Sequence, residues 1–565
     1  VRVERAASAE RHWLAFAAMT DQTLRPIRDV AADLGLLDDH CTPMGRFRCK
    51  VALDAIDEAP PGGRARYVLV SAVTPTQAGE GKTVTSIGLT MGLAARGRRA
   101  VASLRQSSLG PTFGGKGGGA GGGRSRIEPF DACLLDLGDD LFAVESANNL
   151  LAAVVDDHVH RQASPALDPR RVTWRRAVDV DDRALRFVVT GLGGATHGVP
   201  RESGFDITAA SEVMAVLGLA RDRSDLRARL DALVVGFDPD GAPVTAGALG
   251  ATGAMAVLLR NAIEPNLMQT SNGAPVLVHT GPFANIAHGN SSVVADRLAL
   301  GRAEYVVTEA GFATELGAEK FFHLKCAQTG EWPDAAVLVT TVRALKSHAP
   351  NTSPEVEDVD AVHVGGANLR RHLANLRAFG VPVVVAINRF PSDTPAELAA
   401  VRELALADGA HDVVEHEAFA RGAAGAVDLA EAVERACATG ATPRRLYSLD
   451  DPVEEKVRRL ATTLYGAAEV RWEAAAQRAM RRFEKAGYGD LPICVAKTHS
   501  SLSHDPTLSG APNGFTFPVR DVRLAAGAGF LTVYAGDILT MPGLPANGRY
   551  REIDLQPDGT VTGLR

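Results

Sequence analysis

The residues that could do chemistry begin in "TPTQAGEGKTVTS", residues 74 to 86. Lys82 and Thr83 follow Gly79-Glu80-Gly81, matching the end of the phosphate-loop pattern G-x-x-x-x-G-K-[ST]. Glycines there let backbone N–H groups converge on an anion at a helix start. The lysine reaches terminal phosphates, and the threonine hydroxyl can ligate magnesium. The pattern's first glycine is replaced by Thr76, which asks only for a non-positive φ at that point. The plain alternative is a surface Gly-Lys-Thr turn. Further on, "LRQSSLGP" sets Arg105 just past a predicted strand, where a guanidinium can clamp a phosphoryl group or carboxylate bidentately. An ordinary surface arginine is the competing reading. Ser107 and Ser108 can add donors beside it.

Such groups need elements to hold them. "RYVLVSAV", 66 to 73, reads as a buried parallel strand, followed by the loop and then a helical pattern ending at Gly97. "AVASL", 100 to 104, is a second buried strand, which completes a βαβ unit. Next comes "GPTFGGKGGGAGGGRSR", either a flexible linker or a place where backbone approaches an anion or a partner subunit. Further buried strands are expected in "ALRFVVTGLGG", "ALVVGF", "PVLVHTG", "YVVTEAG", "AAVLVTTV" and "PVVVAINRF", with a helix in "PEVEDVDAVHVGGANLRRHLANLRAFG". From about residue 446 the pattern turns to a connecting helix and then to strands and turns. The expected fold is α/β in three parts. Residues 1–285 would form a P-loop NTPase-like parallel sheet domain with an N-terminal helical segment. Residues 286–445 would form a second α/β, Rossmann-like domain lining a shared cleft, and 446–565 a small α+β domain.

The whole chain limits the function classes. At 565 residues it exceeds one core. A net charge of -7 and 5% aromatics give no support to a nucleic-acid partner. Six scattered cysteines without a C-x-x-C pair argue against a zinc site and for a reducing compartment, so a cytoplasmic location is expected. No apolar run reaches membrane-spanning length, so no membrane association is expected.

Beyond the loop, long blocks in order resemble the formate–tetrahydrofolate ligase (formyltetrahydrofolate synthetase) family, from about residue 22 to the end. They include "TPTQAGEGKT", "LRQSSLGPTFGGKGGGAGGG", "ESANNLLAAVVDDH", "GPFANIAHGNSSVVA", "TEAGFATELGAEKFF" and "VAINRFPSDTPAEL". Thr76 belongs to that family's own form of the loop. The resemblance implies ATP-dependent ligation of formate to tetrahydrofolate through formyl phosphate, giving 10-formyltetrahydrofolate, ADP and phosphate. It implies ATP and Mg2+ as cofactors and a homotetramer. It carries Gly79, Glu80, Gly81, Lys82 and Thr83 onto the nucleotide loop, with Lys82 over the transferring phosphate and Arg105 as a formyl-phosphate clamp. Phe312, Phe390 and Phe419 match aromatic positions near the nucleotide or pterin pocket, Phe419 replacing a tryptophan. Each phenylalanine could equally be core packing. Asp206 reads as structural support, and His288 stays open between a buried role and a cleft role.

Some positions depart from the family pattern. A glutamate and an aspartate are associated there with a monovalent cation, K+ or NH4+; this chain has Gln106 and Asp140. An amide oxygen attracts a cation less than a carboxylate, so weak or absent activation by potassium or ammonium is expected. Gln77, Val84, Phe142, Asn290 and Ser500 also depart. Two rival functions follow: a divergent paralogue that binds ATP with altered or lost ligase activity, and a nucleotide-dependent switch built on the same loop.

Overall fold

The computed structural model describes residues 24–59, 64–76, 79–115, 119–350 and 352–564. Gln77, part of the glycine-rich segment and the start of the expected N-terminal helical region lie outside the described residues. The elements that matter for the site are β1 (Cys41–Pro43), β2 (Cys49–Val51), β3 (Arg66–Ala72), α1 (Lys82–Ala95), β4 (Ala100–Leu104), α2 (Gly138–His160), β5 (Asn266–Thr270), β6 (Pro275–Val278), β7 (Tyr305–Glu309), β8 (Ala335–Thr340), α3 (Val359–Ala378), β9 (Val383–Asn388) and β10 (Asp412–His416).

These strands belong to one twelve-stranded sheet in the order β1-β2-β5-β6-β4-β7-β3-β8-β9-β10. Every neighbouring pair from β6 to β10 is parallel. β1, β2 and β5 continue the sheet antiparallel. The protein is therefore α/β with a large, mostly parallel central sheet. Strands from both sides of residue 285 are neighbours in it, as β3 is of β7 and β8.

β3 shows why these runs make a central strand. Tyr67 and Leu69 pack into one layer, and Val68, Val70 and Ala72 into the other with Leu89 and Leu93 of α1. A strand covered on both faces needs apolar residues at consecutive positions. The chain leaves β3 towards β4 on one side, and β8 to β10 lie on the other. That is a topological switch point, and ligands bind outside the C-terminal strand ends there.

Two of the expected strands lie outside the central sheet, one of them part-exposed and the other buried. "ALRFVVTGLGG" forms Val188–Thr190, in an antiparallel hairpin with Arg201–Ser203, and Phe187 beside it is 81% exposed. "ALVVGF" forms Val234–Phe237, paired with Pro243–Thr245 in a separate two-stranded sheet. A short apolar run does not say which sheet it joins. After residue 446, Ile493–Ala496, Asp521–Ala525 and Phe530–Tyr534 form a three-stranded sheet, and Ile493, Phe517 and Leu531 share the core of the central sheet. Among the described residues, no helix is long and apolar enough to cross a membrane.

Candidate active site

Four parallel strand ends converge on the loop. β3 leads into it, Arg105 follows β4, Glu309 ends β7 and Asn388 ends β9. Gly79 and Gly81 adopt φ of +71° and +79°, the left-handed region open to glycine. At Gly81 close approach adds to the demand, because a Cβ there would lie 2.3 Å from Asn388 Nδ2. That amide instead donates to the Glu80 carbonyl at 3.1 Å. The Glu80 carboxylate folds back to accept the Thr76 N–H at 2.7 Å. Thr76 thus closes the loop through its backbone, which a glycine would do no better. Burial pushes the Glu80 carboxyl above its usual range.

Lys82 opens α1 and donates to the Phe312 carbonyl at 2.6 Å. Burial lowers its ammonium from the ordinary value, opposed by the Glu309 and Glu80 carboxylates. Thr83 Oγ1 donates to Glu309 Oε2 at 2.7 Å, and Arg105 Nη2 lies 3.7 Å from Glu309 Oε1. The other Arg105 terminal nitrogen donates to the Pro282 carbonyl at 3.1 Å, while Nε is buried without a hydrogen-bond partner among the described residues. Hydroxyl and guanidinium therefore face one carboxylate, whose charge also favours the charged form of Lys82. Glu309 was visible in "TEAGF" only as a neighbour of Phe312, because nothing local marks it; the order β4-β7-β3 puts it between loop and arginine.

The three aromatics meet this region from different sides. Phe312 carries φ of +56°, unusual for a bulky residue, and stacks on His499 with ring centroids 4.6 Å apart. Such backbone strain gathers at functional sites. Phe390 lies under the Arg343 guanidinium at 3.5 Å, and Arg343 reaches the Gly79 carbonyl at 3.5 Å. Phe419 is 49% exposed, and its carbonyl accepts the Arg124 N–H at 2.8 Å. A Cβ at Gly123 would sit 2.3 Å from that carbonyl, so this part of the glycine-rich segment is a packed hairpin. Ser107 accepts the Gly119 N–H, and Ser108 donates to Asp179, so both side chains brace the turn. Asn388, Arg343 and His499 are site neighbours that the sequence alone did not single out.

A model of the family described as formate–tetrahydrofolate ligase matches residues 15–565. A formate–tetrahydrofolate ligase of Roseiflexus sp. (strain RS-1) is 52% identical over 551 residues, covering 96% of this chain and 98% of that protein. Those of Herpetosiphon aurantiacus and Chloroflexus aurantiacus (strain ATCC 29366 / DSM 635 / J-10-fl) are 48% and 50% identical, each over 96% of this chain and 98% of the relative. The chain belongs to the formate–tetrahydrofolate ligase family. So close a likeness over nearly the whole length favours the ligase over a divergent paralogue or a switch.

Two groups implied by the formate–tetrahydrofolate ligase family can be tested against these residues. Mg2+ takes one or two protein oxygens plus substrate phosphates, and the Thr83 hydroxyl beside the Glu309 carboxylate fits that demand. A free monovalent cation fits less well. Gln106 and Asp140 are brought together, both bonded to the Leu137 carbonyl, one through its side-chain amide and the other through its N–H. Yet Asp140 already holds the Lys50 ammonium at 2.6 and 2.7 Å. Asn290 is buried and donates to the Glu309 carbonyl at 3.3 Å; Phe142 is 68% exposed. Asp206 pairs with Arg175 at 3.0 Å and lines a cavity of about 520 Å³ that none of the loop residues lines. His288 is fully buried, with neither ring nitrogen hydrogen-bonded among the described residues.

Proposed function

We infer that this protein ligates formate to tetrahydrofolate with ATP, forming 10-formyltetrahydrofolate, ADP and phosphate. The carrying observation is the convergence of Thr83 and Arg105 on Glu309, with the Lys82 ammonium held on the Phe312 carbonyl, at the C-terminal end of a parallel sheet. A formate oxygen attacks the γ-phosphorus of ATP and ADP leaves, giving formyl phosphate. The tetrahydrofolate amine then attacks the formyl carbon and phosphate leaves. Formate has a poor leaving group until its oxygen is phosphorylated, so the first step needs positioning and charge neutralisation rather than covalent help from the protein. Lys82 and the loop N–H groups neutralise the transferring phosphoryl group. Arg105, with one guanidinium edge on Pro282 and the other near Glu309, orients the formate carboxylate and then the acyl phosphate. When bound, magnesium would supply further neutralisation, held by Thr83 with Glu309 beside it.

Phe312, Phe390 and Phe419 offer flat surfaces for the adenine or pterin ring. The division at 1–285, 286–445 and 446–565 is proposed as the parts contributing to one sheet-based cleft. A homotetramer and a cytoplasmic location belong to the same reading. The test is spectrophotometric formation of 10-formyltetrahydrofolate with purified protein, with and without Lys82→Ala. Formate- and tetrahydrofolate-dependent product formation, lost by more than about a hundredfold in the variant, is expected. Nucleotide binding without turnover would defeat the reading.

A further inference from the structure

Linked to Gln106 through the Leu137 carbonyl is a buried ion pair that the reaction above does not use. A lysine ammonium has three N–H donors, and all three of Lys50's are satisfied. Asp140 Oδ1 and Oδ2 accept at 2.6 and 2.7 Å, and the Glu264 carbonyl at 2.8 Å. Asn266 Nδ2 adds a fourth contact to the cluster, donating to Asp140 Oδ2 at 2.8 Å. Lys50 and Asn266 are register partners on β2 and β5, and Asp140 lies in the first turn of α2. Both charged residues are buried. Two further buried oxygens, Gln106 Oε1 and Asn266 Oδ1, have no hydrogen-bond partner among the described residues. Both are neutral amide oxygens and add no charge.

We propose that Lys50 is a tethered cation that takes the charge-balancing place of a free monovalent ion beside Asp140. Charge counting carries the argument: Asp140 supplies one carboxylate, Lys50 supplies one ammonium, and Gln106 supplies none. A second cation entering this neutral, buried cluster would give up its hydration for two amide dipoles, an exchange that does not repay desolvation. The tether has a structural consequence. Lys50 fixes Asp140, Asp140 fixes the Leu137 turn, and the Leu137 carbonyl holds the Gln106 side chain next to Arg105 in the chain. The Gln106 backbone N–H, held by the Thr280 carbonyl at 2.7 Å, completes the anchor. The strand end that presents Arg105 is thus ordered from inside the protein, whatever salt surrounds it.

The proposal deepens the reading of Arg105 as the acid clamp and rests on it for its effect on turnover. Its binding half does not, because thermal melting reports cation binding even if no product forms. Melting temperature and formate-dependent turnover are measured in KCl, NH4Cl and choline chloride at one ionic strength. The unaltered protein should melt within about 1 °C and turn over within about twofold across the three salts. Gln106→Glu adds a carboxylate without a cation, so KCl or NH4Cl should raise its melting temperature by roughly 3 °C or more over choline chloride. Lys50→Ala leaves Asp140 uncompensated, and NH4Cl should restore its melting temperature where choline chloride does not. Should Lys50→Ala fail to fold, the other two arms still decide. A potassium or ammonium requirement of more than about fivefold in the unaltered protein overturns the proposal. So does a Gln106→Glu protein that melts alike in all three salts.

Discussion

At Glu309 one carboxylate oxygen accepts the Thr83 hydroxyl at 2.7 Å and the other lies 3.7 Å from Arg105. A charged acceptor of this kind orients the hydroxyl and the guanidinium, which the proposed reading aims at the phosphoryl group. Replacing Glu309 by glutamine keeps the shape and removes the charge. We expect Glu309→Gln to weaken magnesium-dependent binding of ADP by about tenfold or more and to leave magnesium-free binding within about threefold. Calorimetric titration with and without MgCl2 reads this directly, and equal weakening in both conditions would count against the role. The same residue shows where sequence reading stops. Local spacing singled out Lys82 and Thr83, and the place after a predicted strand singled out Arg105. Glu309 is one of 67 acidic residues, and only strand order distinguishes it. Lys50 was hidden for the same reason: its partner Asp140 is 90 residues away.

At the scale of elements, α3 ties the loop to the Phe312 segment through His372. Asn368 Nδ2 donates to Thr74 Oγ1 at 2.8 Å, and that hydroxyl is hydrogen-bonded to His372 Nε2 at 2.9 Å. The other ring nitrogen, Nδ1, is hydrogen-bonded to Thr314 Oγ1 at 2.7 Å. Thr74 lies at the root of the loop, and Thr314 lies two residues past Phe312, whose carbonyl receives Lys82. Burial lowers His372 to about 4, which keeps the ring neutral at neutral pH. His372→Ala is expected to cost about 1–3 kcal/mol of stability, since two buried hydroxyls lose a partner. Because the link runs to the loop, ATP should bind about tenfold more weakly, with the KM for formate changing less. A variant that only melts earlier, with both KM values unchanged, would make His372 purely structural. β3, the loop and α1 were readable from apolar runs and glycines; this cross-link between α3 and the loop was not, as it spans 298 residues.

For the whole molecule, the parallel strands on both sides of residue 285 form one sheet, which apolar runs alone leave undecided, since they announce strands without naming their neighbours. A sheet covered on both faces also buries polar residues that approach it, and histidines bear the clearest mark. Burial lowers His279 to about 3 and His348, His372 and His416 to about 4, from an ordinary 6.5. Each stays neutral in the folded chain while its unfolded counterpart takes up a proton as pH falls below about 6.5. A lowered folded value means that stability is fully present above the unfolded value and is lost as pH falls through the window down to about 4. Glu212 works the other way. Burial raises its carboxyl to about 7, so its contribution is present at low pH and lost as pH rises towards 7. Among the groups with the largest shifts, the four histidines outweigh Glu212, so a chain of 565 residues should lose roughly 4 °C in melting temperature between pH 7 and pH 5. Glu212→Gln removes the opposing group while its side-chain oxygen can still accept the Gly527 and Ala528 N–H groups. That variant should melt higher than the unaltered protein at pH 8 and lose stability more steeply towards pH 5. A melting temperature that holds flat or rises from pH 7 to pH 5 would mean that these histidines are not kept neutral by the fold.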